Sequence, residues 1–305
     1  VDFLFVDDDS TDNSIGLINQ LNQENKHHIR IIQNERKSNS PKKDAISTAL
    51  KVTNKEWIVT TDADCVLPEN WLITFDSYIQ QHDCSMLAAP VTYEVGNGLL
   101  HQFQLLDFFS LQASTISGFG LKKPFLCNGA NLVYKKEIFD TVKGFENNNS
   151  IASGDDIFLL EKFLKLDVSK VHYLKSNEVI VITFPVNTFK ELINQRVRWA
   201  SKTANYTLMF GKLIGMIVVI GNTILTIAPW LLFYNHLSLT SVISYFFMKL
   251  FFDFLLIERI GSFYKQKISF LSYSISSILY PYFTVFVFLT SLVSSYKWKE
   301  RRFKK

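Results

Sequence analysis

The chain has 305 residues, of which 48% are hydrophobic and 20% are charged, and this composition excludes intrinsic disorder, a collagen-like repeat and a small disulfide scaffold. The formal net charge of +4 is the sum of two unlike parts. Residues 213–305 hold 10 Lys and Arg against 3 Asp and Glu, a net of +7, whereas residues 1–212 hold 22 against 25, a net of −3. We therefore expect two domains, at residues 1–212 and 213–305.

Short apolar runs alternate with helical patterns over the first part of the chain. Val1–Val6 is predicted to be a strand that ends in the acidic run of residues 7–12, and residues 57–61 form a later strand that ends in the acids of residues 62–64. This alternation predicts an α/β domain with a mostly parallel sheet covered on both faces. Because ligands bind beyond the carboxyl ends of such strands, the two acidic runs should converge on one crevice.

Asp62 and Asp64 place two carboxylates on an extended segment at a strand end. Carboxylate oxygens are ligands that Mg²⁺ and Mn²⁺ prefer, and Mg²⁺ is usually held by one or two carboxylates together with substrate phosphates. The pair therefore suits a metal ion that neutralises a nucleotide diphosphate. The alternative interpretation is an ordinary polar turn before Pro68.

The three cysteines are widely spaced and include no Cys-x-x-Cys pair, so they give neither a zinc-site spacing nor a disulfide framework. We expect reduced thiols that face a cytosol.

Asp155 and Asp156 precede a helical pattern in which Ile157, Leu160 and Leu164 recur. A carboxylate at the rim of a cleft can act as a general base, with a pKa that neighbouring carboxylates and a metal ion tune in opposite directions. Taken alone, the pair also fits a helix N-cap with a favourable dipole contact.

A cationic and aromatic segment, Gln195-Arg196-Val197-Arg198-Trp199, comes shortly before the most apolar part of the chain. Arg offers forked donors suited to a diphosphate, and Trp offers a flat face for a sugar ring or a lipid boundary. Anchoring at a membrane interface is the alternative, because it requires the same Arg and Trp.

Three apolar segments follow: Leu213–Tyr234, Leu237–Ile257 and Ile268–Ser291. A bilayer core is spanned by ~20 mostly apolar residues, so we predict two to three transmembrane segments followed by a basic tail. Lys249 and Asp253 interrupt the middle segment, but they lie four residues apart and could pair. A pair of buried soluble helices is the alternative.

The charges around these segments do not decide how the segments are oriented in the membrane. Residues 258–267 and the tail at residues 297–305 are both basic, and positive charge favours the cytoplasmic side. Three full spans would place the two on opposite sides, unless one segment is interfacial or re-entrant.

With these sites in order, the sequence resembles the membrane-bound family-2 glycosyltransferases of the GT-A fold, including the synthases that contain Gln-x-x-Arg-Trp. The matching segments are Asp7-Asp8-Asp9-Ser10-Thr11-Asp12, Asp62-Ala63-Asp64, Gly154-Asp155-Asp156 and Gln195-Arg196-Val197-Arg198-Trp199. The motifs that carry the resemblance lie within residues 1–212. Beyond them, the chain shares with the family only the presence of apolar membrane segments. Asp9 stands where the family usually has Gly, and Asp155 stands where Glu is common. The family normally begins with an earlier strand, so the resemblance implies an N-terminally truncated sequence.

The resemblance implies a role for each matching position. Asp7 or Asp8 would contact the base of the donor, Asp62 would contact its ribose or diphosphate, Lys42 would also bind the donor, and Arg198 would hold the leaving diphosphate. Asp62 and Asp64 would be the ligands of Mg²⁺ or Mn²⁺. Asp156, beside Asp155, would be the catalytic base, and Gln195 and Trp199 would shape the acceptor side.

The implied activity is inverting transfer of a sugar from a UDP- or GDP-sugar to a lipid or a growing polysaccharide. The enzyme would be an integral protein of the cytoplasmic (inner) membrane, in contact with its lipids, with the catalytic domain in the cytosol. Single transfer and processive extension both remain open, as does a membrane-anchored, non-catalytic sugar-nucleotide binder or scaffold. Nucleic-acid binding is not expected, because residues 1–212 are net acidic and lack a basic stripe.

Overall fold

The computed structural model describes residues 1–24, 28–148, 151, 153–293, 296–298 and 301–303. The strands are β1 (Phe3–Asp7), β2 (Ile29–Gln33), β3 (Trp57–Thr60), β4 (Cys65–Val66), β5 (Met86–Ala88), β6 (Val91–Tyr93), β7 (Leu132–Lys135), β8 (Val171–Tyr173), β9 (Val181–Thr183), β10 (Tyr296–Trp298) and β11 (Arg301–Phe303). The α-helices are α1 (Ser14–Glu24), α2 (Pro41–Val52), α3 (Trp71–Gln81), α4 (Leu99–Gly120), α5 (Lys136–Thr141), α6 (Asp155–Leu166), α7 (Phe189–Ala200), α8 (Met209–Phe233), α9 (Leu239–Phe263) and α10 (Phe270–Val293).

The predicted fold class, an α/β domain followed by long apolar helices, is confirmed, but the strand directions are mixed. The largest sheet has the order β3-β7-β5-β8, in which β7 runs antiparallel to both of its neighbours and β5 and β8 are parallel. A parallel pair β1-β2 and a three-stranded sheet β4-β9-β6 complete the domain. Three of the four strands of this sheet, β3, β5 and β8, therefore run in one direction and β7 alone is reversed. The reversal was not predicted, because short apolar runs identify strands without giving their direction.

The core lies on both faces of the β7-β5 pair, with residues alternating between the faces as the period of a strand requires. Met86 on β5 packs with Leu160 and Phe163 of α6 on one face. Leu87, the next residue, packs with Phe75 of α3 and aromatic residues of α4 on the other face. Burial of each large apolar side chain contributes about 1.5–3 kcal/mol, so this pair of strands is a rigid base for the loops that follow it.

One edge of β1 and one edge of β3 are unpaired among the strands that the structure describes. β1 is hydrogen-bonded to β2, and β3 is hydrogen-bonded to β7, but β1 and β3 belong to separate sheets. Residues of both strands line the same cavity. Phe3 and Phe5 on β1 remain 37% and 39% exposed. The two edges and the space between them form an open slot between the two sheets.

Helices α8, α9 and α10 are each long and apolar enough to cross a membrane. Lys249 and Asp253 form an ion pair along α9, which confirms the predicted pairing. The helices also contact the α/β domain: the ring of Tyr264, just after α9, stacks on Phe109 of α4 at 5.4 Å, and Phe283 of α10 meets Phe103 of α4 at 5.0 Å. The basic tail predicted from residue 297 lies partly outside the described residues.

Candidate active site

All ten residues predicted from the sequence line one cavity of about 2520 Å³, which runs from the slot between β1 and β3 to the helices α8–α10. They are Asp7, Asp8, Lys42, Asp62, Asp64, Asp155, Asp156, Gln195, Arg198 and Trp199. The acidic runs after β1 and β3 therefore line the same cavity, although the two strands are not paired with each other.

The end of β1 is organised by hydrogen bonds to its own carboxylates. Asp7 accepts a bond from the backbone N–H of Ser10 at 3.0 Å, and the hydrogen bonds from Ser10 lower the pKa of Asp7. Asp8 accepts from Asn34 Nδ2 at 2.7 Å and pairs with Arg36 at 2.5 Å. The Asp8 carboxylate is thus largely engaged by the protein, and Asp7 is the freer of the two toward a ligand.

Lys42, near the start of α2, connects two of the predicted acidic sites. Its Nζ donates to Asp62 Oδ1 at 2.5 Å and lies 3.4 Å from Asp155 Oδ2. Burial alone would lower the pKa of Lys42, but the charges of Asp155 and Asp62 outweigh it and raise that pKa. Lys42 therefore stays charged and holds the strand end of β3 against the start of α6.

Asp155 and Asp156 are the first two residues of α6, and neither is its N-cap, which is Gly154 at φ 86°. Asp156 accepts from the N–H of Gly129 at 3.2 Å and of Ile157 at 2.8 Å.

The pKa values of Asp155 and Asp156 are shifted in opposite directions. Burial raises the pKa of Asp155, but Lys42 and Lys202 bring it below its ordinary value. Burial and the charge of Asp155 raise the pKa of Asp156. Two neighbouring carboxyls with pKa values shifted in opposite directions are a feature of acid and base sites.

Helix α7 presents the Gln-x-x-Arg-Trp residues to the cavity. Arg198 Nη1 donates to Ser153 Oγ at 3.3 Å, which links α7 to the turn before Asp155. Gln195 Oε1 accepts from Arg196. The guanidinium of Arg196 also lies over the ring of Trp199, 4.3 Å from its centroid.

Four cations in or near the site were given no role by the sequence analysis: Arg36, Lys43, Arg196 and Lys202. Arg196 forms a buried ion pair with Asp107 of α4 at 2.5 Å, and Asp107 also accepts from the hydroxyl of Tyr280 at 3.1 Å. Lys43 Nζ donates to the carbonyls of Asn148 and Ile151 at 2.8 and 3.0 Å. Each of these partners lies far along the chain from the cation that it contacts, so no local sequence pattern predicts the contact.

The residues present fit a metal ion that is shared with a substrate. Among the described residues there is no group of three or more His, Cys, Asp or Glu side chains that could hold a metal ion. Asp64 is exposed on the cavity wall, and Asp62 keeps one oxygen beyond its bond to Lys42. One or two carboxylates completed by phosphate oxygens is an ordinary arrangement for Mg²⁺.

Residues 1–142 of the chain match the family described as Glycosyl transferase family 2. The match includes β1, β3 and the acids that follow them, and it ends before the Asp155-Asp156 and Gln-x-x-Arg-Trp segments. It supports the family-2 resemblance for this part of the chain. No curated protein is significantly similar in sequence.

Several solved structures are weakly similar. Glucosyl-3-phosphoglycerate synthase from Mycobacterium tuberculosis, in complex with phosphoglyceric acid, is 15% identical with a TM-score of 0.42 over 65% of this chain and 66% of its own. S. aureus TarS 1-349 in complex with UDP is 16% identical with a TM-score of 0.44 over 100% of this chain and 88% of its own. A mycobacterial protein is 13% identical with a TM-score of 0.41, and the chain covers 62% of its length.

Proposed function

We propose that the protein transfers a sugar from a nucleotide-sugar donor to an acceptor in the cavity that contains the acidic clusters. The observation that supports this most strongly is the arrangement around Lys42, which pairs with Asp62 and Asp155 while Asp156 lies beside them with a raised pKa. It joins a strand-end acid, suited to a donor and its metal, to a pair of carboxyls suited to proton transfer.

The donor would be a UDP- or GDP-sugar bound along the ends of β1 and β3. Asp7 or Asp8 would contact the base, and Asp62 would contact the ribose or the diphosphate. Arg198 would stabilise the charge that develops on the leaving diphosphate, because forked guanidinium donors match phosphate oxygens. Mg²⁺ or Mn²⁺, when held by Asp64 and Asp62, would supply further neutralisation of that charge.

Asp156 would be the catalytic base. It removes the proton from the acceptor hydroxyl as that oxygen forms a bond to the anomeric carbon, and the bond to the nucleoside diphosphate breaks with its electron pair. A raised pKa makes the carboxylate a better proton acceptor than an ordinary Asp. One in-line displacement inverts the anomeric configuration, so an α-linked donor would give a β-linked product.

The acceptor would be a lipid or a growing glycan at the cytoplasmic face of the membrane, on the side of Gln195 and Trp199. The apolar surfaces of α8, α9 and α10 support this location, since each helix is long enough to cross a bilayer. We also propose that the predicted boundary near residue 213 separates the catalytic domain from the membrane-embedded part.

A non-catalytic sugar-nucleotide binder is the second candidate, and the open slot between β1 and β3 favours it. The slot beside β1 would leave the donor-binding loop that follows this strand poorly supported. Donor binding without transfer or donor hydrolysis would identify this second function.

The Asp156→Asn variant tests the proposal. We expect a loss of transfer of ~10²–10⁴-fold with donor affinity within a few fold of wild type, because general-base catalysis typically contributes that factor. Asp140→Asn, an exposed residue of α5, is the matched control and should keep full activity. Full transfer by a folded, donor-binding Asp156→Asn protein would show that Asp156 is not the base.

A further inference from the structure

Lys202 is a buried cation on the wall of the cavity that none of the roles above uses. It follows the end of α7, lines the cavity and is only 7% exposed. Its alkyl chain lies over the turn before α6, since a Cβ added to Gly154 would be 3.3 Å from Lys202 Cδ. Lys202 thus lies beside the turn that leads into Asp155 and Asp156.

The ammonium of Lys202 forms no hydrogen bond or ion pair with any residue that the structure describes. The two other lysines near the acid pair differ: the half-buried Lys42 pairs with Asp62 and Asp155, and the buried Lys43 donates to the carbonyls of Asn148 and Ile151. A buried charge without a direct partner is costly, and an anion bound in the cavity would supply that partner.

The charges around Lys202 are of both signs. Asp155 and Asp156 face it from α6, Arg198 from α7 and Lys42 from α2. Burial lowers the pKa of Lys202 to about 8, and the like charges of Arg198 and Lys42 act in the same direction. An anion placed between Lys202 and Arg198 would offset both the burial and the repulsion.

We propose that Lys202 and Arg198 together form the subsite for the diphosphate of the donor and of the nucleoside diphosphate product. Arg198 lies in the last turn of α7, Lys202 follows the end of that helix four positions later, and both line the cavity. This inference rests on the proposed function for the identity of the anion. Lys202 supplies a point charge beside the forked donors of Arg198, a combination that suits two linked phosphates.

The test measures binding rather than turnover, so it does not depend on transfer activity. The full chain in detergent is titrated with inorganic pyrophosphate, UDP and GDP, first without metal and then with Mg²⁺. We compare wild type with Lys202→Met, which keeps the alkyl length, Lys202→Arg, which keeps the charge, and Lys190→Met. Lys190 is an exposed residue of α7 outside the cavity and serves as the matched control.

We expect Lys202→Met to weaken binding of pyrophosphate and of a nucleoside diphosphate by ~10–100-fold, as for the loss of a charge-assisted hydrogen bond. Lys202→Arg and Lys190→Met should bind as wild type does. Wild-type affinity should fall as the pH rises above about 8, where Lys202 loses its proton, and Lys202→Arg should remove that fall.

Three results would overturn the inference. One is wild-type affinity for both probes in Lys202→Met, and another is no diphosphate binding by the wild type. The third is a loss of affinity in Lys202→Met accompanied by a lower unfolding temperature and no rescue by Lys202→Arg, which would assign Lys202 a structural role. Diphosphate binding that depends on Lys202 in a protein without transfer activity would uphold the subsite and reject only the proposed activity.

Discussion

Asp9 adopts a left-handed backbone conformation, with φ 64°. Gly reaches this region freely, whereas among other residues Asp and Asn are the most tolerant of it. The structure therefore explains why Asp9 can stand at a position where the resembling family usually has Gly. Its side chain is also engaged, because it accepts from Gln33 at 3.0 Å and lies 3.5 Å from Arg36.

The acids of the site could be predicted from the sequence, and most of its cations could not. Asp7 and Asp62 were found because they follow apolar runs that read as strands. Arg196 has its partner Asp107 on another helix, 89 positions earlier in the chain. Lys and Arg are also common on surfaces, so only the folded chain shows which of them are buried.

The ion pair between Arg196 and Asp107 is predicted to stabilise the protein's fold around α7. Asp107→Ala should lower the free energy of unfolding by about 3–5 kcal/mol, because it leaves the Arg196 guanidinium buried without its partner. The measurement is denaturant unfolding of the detergent-solubilised chain.

Two further variants test whether the loss of stability comes from the ion pair itself. Asp140→Ala, at an exposed site, should change the stability by less than about 0.5 kcal/mol. The double variant Asp107→Ala/Arg196→Met should recover part of the loss, since it removes the unpaired charge. An Asp107→Ala protein as stable as wild type would contradict the role of the pair.

At the scale of elements, the positions of strands and helices agree better with the predictions from the sequence than the pairing of the strands does. The strands predicted at Val1–Val6 and at residues 57–61 are β1 and β3, and the helical pattern predicted after Asp156 lies in α6. The antiparallel direction of β7 was not predicted. Local patterning encodes which face of a strand is buried, whereas direction depends on how the connecting segments cross the domain.

The open slot between β1 and β3 makes a prediction about strand addition. A chain extended at its N-terminus by an apolar strand of about five residues and a flexible loop should fill the slot, because β1 and β3 each pair with only one other strand among those that the structure describes. We expect slower amide exchange in β1 and β3 and a higher unfolding temperature.

The control extension has the same composition with prolines at alternate strand positions, which cannot pair with either edge. It should leave amide exchange and the unfolding temperature unchanged. Equal behaviour of the two extended chains would show that the slot does not accept a strand.

At the scale of the whole molecule, the net charge of +4 carries little information, whereas the charges of residues 1–212 and 213–305 differ in sign. The net acidic part contains the site carboxylates, and the basic, apolar part contains most of α8 and all of α9 and α10. Composition did not predict how closely the parts are joined. The contacts of Tyr264 and Phe283 with α4 connect the apolar helices to the α/β domain, and Tyr280 reaches Asp107 directly.

The most direct measurement of the central claim is transfer of a labelled sugar by membranes that contain the full chain. The membranes are incubated with isotopically labelled UDP- and GDP-sugars and Mg²⁺ or Mn²⁺, and the products are separated by size and by extraction into organic solvent. We predict that wild type moves label from at least one donor into a lipid-linked sugar or a polymer, and that Asp156→Asn does not. Label that stays in the nucleotide sugar for every donor, with wild-type protein that binds UDP or GDP, would contradict the account.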